Sequence, residues 1–131
     1  MLRTDRISHG APAIDAPDVM AHLIQHGITL DLCPTSNVNT GVCASIAEHP
    51  IGMLRRLRFR VTLNTDNQLM SDTSMSKEMQ QLADSSGWGI DDFEWVSINA
   101  MKSAFAPFPE RLAIINGVIK PRYAAARAAA L

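Results

Sequence analysis

The stretch Phe59-Arg60-Val61-Thr62-Leu63-Asn64-Thr65-Asp66-Asn67 alternates between apolar and polar residues and then turns wholly polar. Successive side chains of an extended chain point to opposite faces, so Phe59, Val61 and Leu63 share one side. Arg60, Thr62, Asn64 and Asp66 share the other. Upstream, Ile28 to Cys33 reads as a second apolar strand, stopped by Pro34. A short third strand fits Arg6 to His9. Helical patterns fall between and after them. The first covers Ala16 to His26, with Pro17 in its first turn, Gly27 after its last, and an apolar stripe of Val19, Met20, Leu23 and Ile24. Others cover Pro50 to Leu57 and Met75 to Ala83, begin at Asp91, and run from Pro109 to Ile119 ahead of Pro121. Asp91 and Glu94 make an approximate capping box, with Ile90 stapled onto Trp95. The alanine-rich tail, 124–131, has helical propensity but little apolar face, so fraying is expected there.

Strand, helix, strand, helix implies a parallel α/β sheet. Such strands need neighbours on both edges. Two full strands and a stub are too few for a closed (β/α)8 barrel, which takes about 250 residues. Either the rest of a barrel is supplied elsewhere or the fold is a smaller open one. No internal repeat or linker interrupts the pattern, so residues 1–131 read as a segment of a single domain.

Composition excludes several classes of function. Hydrophobic residues make up 47% and charged residues 19%, as in a globular chain rather than a disordered one. A net charge of -1 offers no electrostatic footprint for nucleic acid or a membrane surface. No apolar run reaches the roughly 18–20 residues of a transmembrane helix. Met1 to Gly10 is polar and lacks the apolar core of a signal peptide. Cys33 and Cys43 show neither a disulfide framework nor CxxC spacing, so a reducing cytoplasm is the expected compartment.

Three segments place polar groups where strands end: Arg6-Ile7-Ser8-His9-Gly10, Cys33-Pro34-Thr35-Ser36-Asn37, and Asn64-Thr65-Asp66-Asn67. In parallel α/β folds the C-terminal strand ends build the active site. Three such ends in succession point to one shared pocket, although these residue types also favour ordinary turns. His22 and His26 have the i, i+4 spacing of a zinc-binding HExxH helix, but Leu23 stands where its glutamate would be. They read as a solvated pair. His49 before Pro50 reads as a helix-entry residue rather than a ligand. Cys33 reads as buried and inert, with no basic neighbour in sequence to activate it.

His9-Gly10, Cys33-Pro34-Thr35-Ser36-Asn37 with Thr40-Gly41, His49-Pro50, Asn64-Thr65-Asp66, Ile98-Asn99-Ala100 and Ser103-Ala104-Phe105 occur in this order and spacing in adenosine deaminases. The chain therefore resembles the C-terminal part of that family, over about Arg6 to Phe105. The run from Asn64 to Ser71 resembles its bacterial, actinobacterial-type branch most. The resemblance implies a (β/α)8 barrel, of which this chain would supply the end of the sixth strand, the seventh and the eighth. It implies one zinc ion and the hydrolytic deamination of adenosine or deoxyadenosine to inosine and ammonia. Asp66 matches the aspartate that binds zinc and contacts the attacking hydroxide. His9 matches the histidine that positions and supports that hydroxide. Asn67 stands where many members have an aspartate facing the purine N7.

The sequence also departs from the family. Its early His-x-His pair, its third zinc histidine and its glutamate proton shuttle have no counterpart here. Ser8 and Arg58 stand where glycines are common, which puts the local backbone in question. Three readings stay open: a piece of a longer deaminase, a short chain that completes a barrel with another polypeptide, or a catalytically incomplete fragment that oligomerises or binds partners. The chain alone is expected to be inactive.

Overall fold

The structure, a computed structural model, describes residues 4–130. Strands β1 (Arg6–Ser8), β2 (Thr29–Leu32) and β3 (Val61–Leu63) form one parallel sheet in that order. Ile7 lies beside Leu30 and Leu30 beside Val61, while Leu32 lies beside Leu63. These five side chains line one face and pack into the core with Leu23, Ile51, Leu54, Phe59 and Leu82. The opposite face is polar and cross-linked. Arg6 holds Asp31 through Nε and Nη2 at 2.9 and 2.8 Å, and Thr62 Oγ1 donates to Asp31 at 2.8 Å.

A 3-10 turn (Ala11–Asp15) and helix α1 (Pro17–His26) connect β1 to β2; α2 (Pro34–Asn39) and α3 (Ile51–Arg56) connect β2 to β3. After β3 come α4 (Gln68–Ser71), α5 (Met75–Ser86), α6 (Ile90–Ser103), α7 (Phe108–Ile114) and α8 (Lys120–Ala129). Two helices are additions to the sequence reading. The Cys33-Pro34-Thr35-Ser36-Asn37 segment opens α2 instead of a loop, with Pro34 in its first turn. Asn67 caps α4 by accepting the Met70 N–H at 3.1 Å.

Other expectations shift. On α1 only Leu23 is fully buried, and Val19 and Ile24 stay exposed. The packed stripe is therefore narrower than its periodicity predicts, with Leu23 buried and Met20 packed beside it. The cap of α6 is Gly89, whose N–H bonds Asp92 Oδ2 at 3.0 Å. Asp91 and Glu94 instead bind Arg127 of α8. The chain also continues past Pro121. Residues Ile115–Ile119 widen into a π-helical turn, and α8 follows with Pro121 in its first turn. The wider turn accommodates the proline ring and its missing N–H, which would otherwise break the ladder. Leu131 and residues 1–3 lie outside the described residues.

Helix α3 ends in a Schellman motif. Phe59 N–H bonds Leu54 C=O at 3.0 Å and Arg58 N–H bonds Arg55 C=O at 3.1 Å, with Phe59 and Leu54 both buried. Arg58 occupies the left-handed position, φ 61°. The same place is taken by Gly27 after α1 and Gly87 after α5. The glycine-type geometry is thus kept by a residue with a Cβ, at a cost. Ser8 lies within β1 and needs no such geometry.

Glu78 on α5 is fully buried. It accepts Thr73 Oγ1–H at 2.7 Å and the Thr35 N–H at 3.2 Å. Thr35 lies in the first turn of α2, where N–H groups lack intrahelical partners. This carboxylate therefore docks α5 onto the start of α2.

Replacing Arg58 by Gly should stabilise the fold by about 1 kcal/mol through relief of the left-handed strain. A lower denaturation midpoint would contradict this. Glu78→Ala should destabilise it by about 2–4 kcal/mol, since one buried and one partly buried donor lose their acceptor and a cavity opens. Equilibrium unfolding measures both.

Candidate active site

Because the strands run parallel in register, their C-terminal ends open onto one edge of the sheet. His9 follows β1 directly, α2 follows β2, and Asp66 lies three residues after β3. Both His9 (φ 62°) and Asp66 (φ 57°) are left-handed. Asp and His enter that region more readily than most side chains, and strained backbone clusters at functional sites. Gly10, φ 75°, completes the turn after His9. A Cβ there would meet Leu30 Cδ2 at 2.8 Å, so only glycine lets this turn close over β2.

The two candidate residues face each other. His9 Nε2 stands 3.7 Å from Asp66 Oδ2, and their side chains are 37% and 43% exposed. Ser36 Oγ of α2 donates to Asp66 Oδ2 at 2.8 Å. Asp66 Oδ1 takes no hydrogen bond among the described residues. Asp66 therefore does not cap the following helix, which is the task of Asn67. Capping uses Asn67 Oδ1 and leaves its Nδ2 as a free donor among the described residues.

Behind His9 lies a buried polar chain. Asn37 Nδ2 is 3.3 Å from His9 Nδ1, and Asn37 Oδ1 is 3.0 Å from His49 Nε2. His49 Nδ1 accepts the Ile51 N–H at 3.1 Å, at the start of α3. His49 is thus a helix-entry residue, as its place before Pro50 implies. The link from His49 through Asn37 to His9 was not visible in the spacing. Ser36 and Asn37 stand out in sequence only as members of a polar segment. Cys33 is buried, and its thiol is pushed up to about 12, first by burial and then by the nearby carboxylates of Asp66, Glu78 and Asp31. It is unreactive as a nucleophile.

The donor chemistry suits Asp66 as one oxygen ligand of a metal, with Ser36 holding its second oxygen in place. Among the described residues no three His, Cys, Asp or Glu side chains gather as a metal set. His22 and His26 stack at 4.1 Å between ring centroids, and His26 Nδ1–H bonds the His22 carbonyl at 2.9 Å, as a local surface pair does. Clefts of about 310 and 420 Å³ lie elsewhere, one behind α3 around His49 and Arg56, the other at the opposite strand ends around Thr29 and Arg60. At the His9–Asp66 site both side chains are more than a third exposed. Among the described residues no helix is long and apolar enough to cross a membrane.

A family model described as adenosine deaminase matches residues 1–121. Adenosine deaminase 1 of Streptomyces coelicolor is 53% identical over 133 residues, which cover 92% of this chain and 33% of that protein. The adenosine deaminase of Mycobacterium sp. strain KMS is 56% identical over 131 residues, covering 92% of this chain and 36% of that protein. The chain thus spans about a third of the length of these relatives. Among solved structures, the adenine deaminase of Arthrobacter aurescens superposes with a TM-score of 0.85 at 22% identity, over 89% of this chain and 36% of that one. That likeness concerns the fold: the sheet and helices are the C-terminal part of a (β/α)8 barrel.

Burial pushes the His49 imidazole down from its ordinary 6.5 to about 4. The unfolded chain takes up that proton below about 6.5 while the folded chain does not. Stability from His49 is therefore complete above that pH and is lost as pH falls from about 6.5 to about 4. The loss amounts to about 3 kcal/mol, at 1.36 kcal/mol per pKa unit. Denaturant unfolding across this range should show the decline, and His49→Gln should flatten it. An unchanged pH slope in that variant would rule out His49 as its source.

Proposed function

The chain belongs to the adenosine deaminase family, and on that premise we propose that it supplies the His9–Asp66 side of a zinc site that deaminates adenosine hydrolytically to inosine and ammonia. The observation that carries the reading is the convergence of His9 and Asp66 from the ends of β1 and β3, with Ser36 fastening the carboxylate. The other zinc ligands and the acid that protonates the purine N1 come from the preceding part of the barrel. That part adds to the open edges of the sheet at β1 and β3, where parallel strands need neighbours.

Asp66 would be one ligand of the zinc, with Ser36 fastening its Oδ2. When bound, zinc acts as a Lewis acid that lowers the pKa of a water towards about 7. His9 directs Nε2 at the space beside Asp66, where a donor stabilises charge on the oxygen that attacks C6. Asn67 directs its free amide donor to a purine ring nitrogen, N7. Its neutrality keeps a second anion away from Asp66. Loss of the amino group as ammonia leaves the carbonyl of inosine.

The test uses a complete barrel, made by joining this chain to the preceding part of the Streptomyces coelicolor relative. Asp66→Ala should lower adenosine turnover by roughly 10³-fold or more and reduce bound zinc. His9→Ala should lower kcat by roughly 10²–10³-fold with folding intact. Inosine formation and metal analysis are the readouts. Normal turnover and full zinc content in the Asp66 variant would sink the assignment.

A further inference from the structure

We propose that Asn37 and His49 are positioning residues that form a polarised hydrogen-bond relay and hold His9 in the tautomer with its proton on Nε2, facing Asp66. The polarity follows from one group whose role is unambiguous. The Ile51 backbone N–H can only donate, so His49 Nδ1, 3.1 Å away, must accept and carries no proton. A neutral imidazole then bears its proton on Nε2. That N–H points at Asn37 Oδ1, 3.0 Å away, which must accept. The amide orientation is thereby set, and Asn37 presents Nδ2 to His9 Nδ1 at 3.3 Å. A donor facing Nδ1 requires a lone pair there, so the His9 proton sits on Nε2, the nitrogen 3.7 Å from Asp66 Oδ2.

Burial makes the relay rigid. His49 and Asn37 are 4% and 3% exposed, so water does not compete for their polar atoms. Reversing the direction would set N–H against N–H at Ile51, or leave a buried group unpaired. The depressed basicity of His49 agrees with a permanently neutral ring. The device costs nothing at the moment of reaction, since the donor is aimed beforehand. The opposite tautomer would present a lone pair to the carboxylate and to an oxygen nucleophile, which repels both.

The inference rests on the role proposed for His9, yet its test reads the proton itself. The zinc-loaded chimeric barrel is labelled with ¹⁵N-histidine, and long-range ¹H–¹⁵N correlations are recorded at about pH 8, above the ordinary imidazole pKa of ~6.5. His9 signals are assigned by their loss in His9→Gln. Wild type should show His9 and His49 both protonated on Nε2 and bare on Nδ1. Asn37→Asp puts an acceptor against His9 and should place a proton on His9 Nδ1. Its kcat should fall about 10²-fold with KM changed by less than about threefold. His49→Gln, which retains a donor for Asn37, should keep the wild-type His9 pattern.

A wild-type His9 protonated on Nδ1, or an Nε2–H tautomer surviving in Asn37→Asp, overturns the relay whether or not adenosine turns over. If the wild-type pattern and its loss in Asn37→Asp appear but no inosine forms, the relay stands and the proposed activity fails.

Discussion

Two parallel ladders, Arg6–Ser8 against Thr29–Asp31 and Leu30–Leu32 against Val61–Leu63, carry the rest of the molecule. Parallel pairing sends all three C-terminal strand ends to one edge, which is how residues as far apart in sequence as His9 and Asp66 come to face each other. The register is pinned from both faces. A slip of one residue would expel Leu30 or Val61 from the core and tear Asp31 from Arg6 and Thr62. Hydrophobic burial and the partly buried ion pair therefore specify the same alignment, and the site inherits it.

The backbone beyond that ladder is strained where the candidate chemistry lies. His9 and Asp66 both take left-handed conformations, and Gly10 tolerates an approach to Leu30 that no Cβ would. Arg58 shows the same conformation in a structural setting, at the end of α3, where its cost is offset by the burial of Phe59 against Leu54. The strained turns are held in place by α2. That helix supplies Ser36 to Asp66 and Asn37 to His9, and is itself docked by Glu78. A short helix thus ties both candidate residues to the core.

Exposure divides the labour among the polar groups. His9 and Asp66 stay more than a third exposed, whereas Asn37 and His49 behind them are almost wholly buried and bound to each other. In such surroundings a proton's location is dictated by the nearest obligatory donor, here the Ile51 amide. In the relay proposed above, a backbone group at the start of α3 thereby determines which nitrogen of a strand-end histidine carries the proton.

The strands and most helices are legible in the sequence, because alternation at Phe59–Leu63 and glycine at 27 and 87 express local geometry. His9, Asp66 and Asn67 are singled out as candidates through motifs whose order and spacing survive in one chain, and the structure brings His9 and Asp66 face to face. Three features are not legible in the sequence. Helix α2 is hidden because Pro34 reads as a stop when it is equally a first-turn residue. The chain runs past Pro121 because a π-turn, set by packing rather than by propensity, takes up the defect. The His49–Asn37–His9 relay joins residues 12 and 28 positions apart, and no periodicity links them. Local sequence specifies which way each side chain points along its own element; which polar atoms meet is decided only when the sheet aligns those elements and burial removes water as the alternative partner.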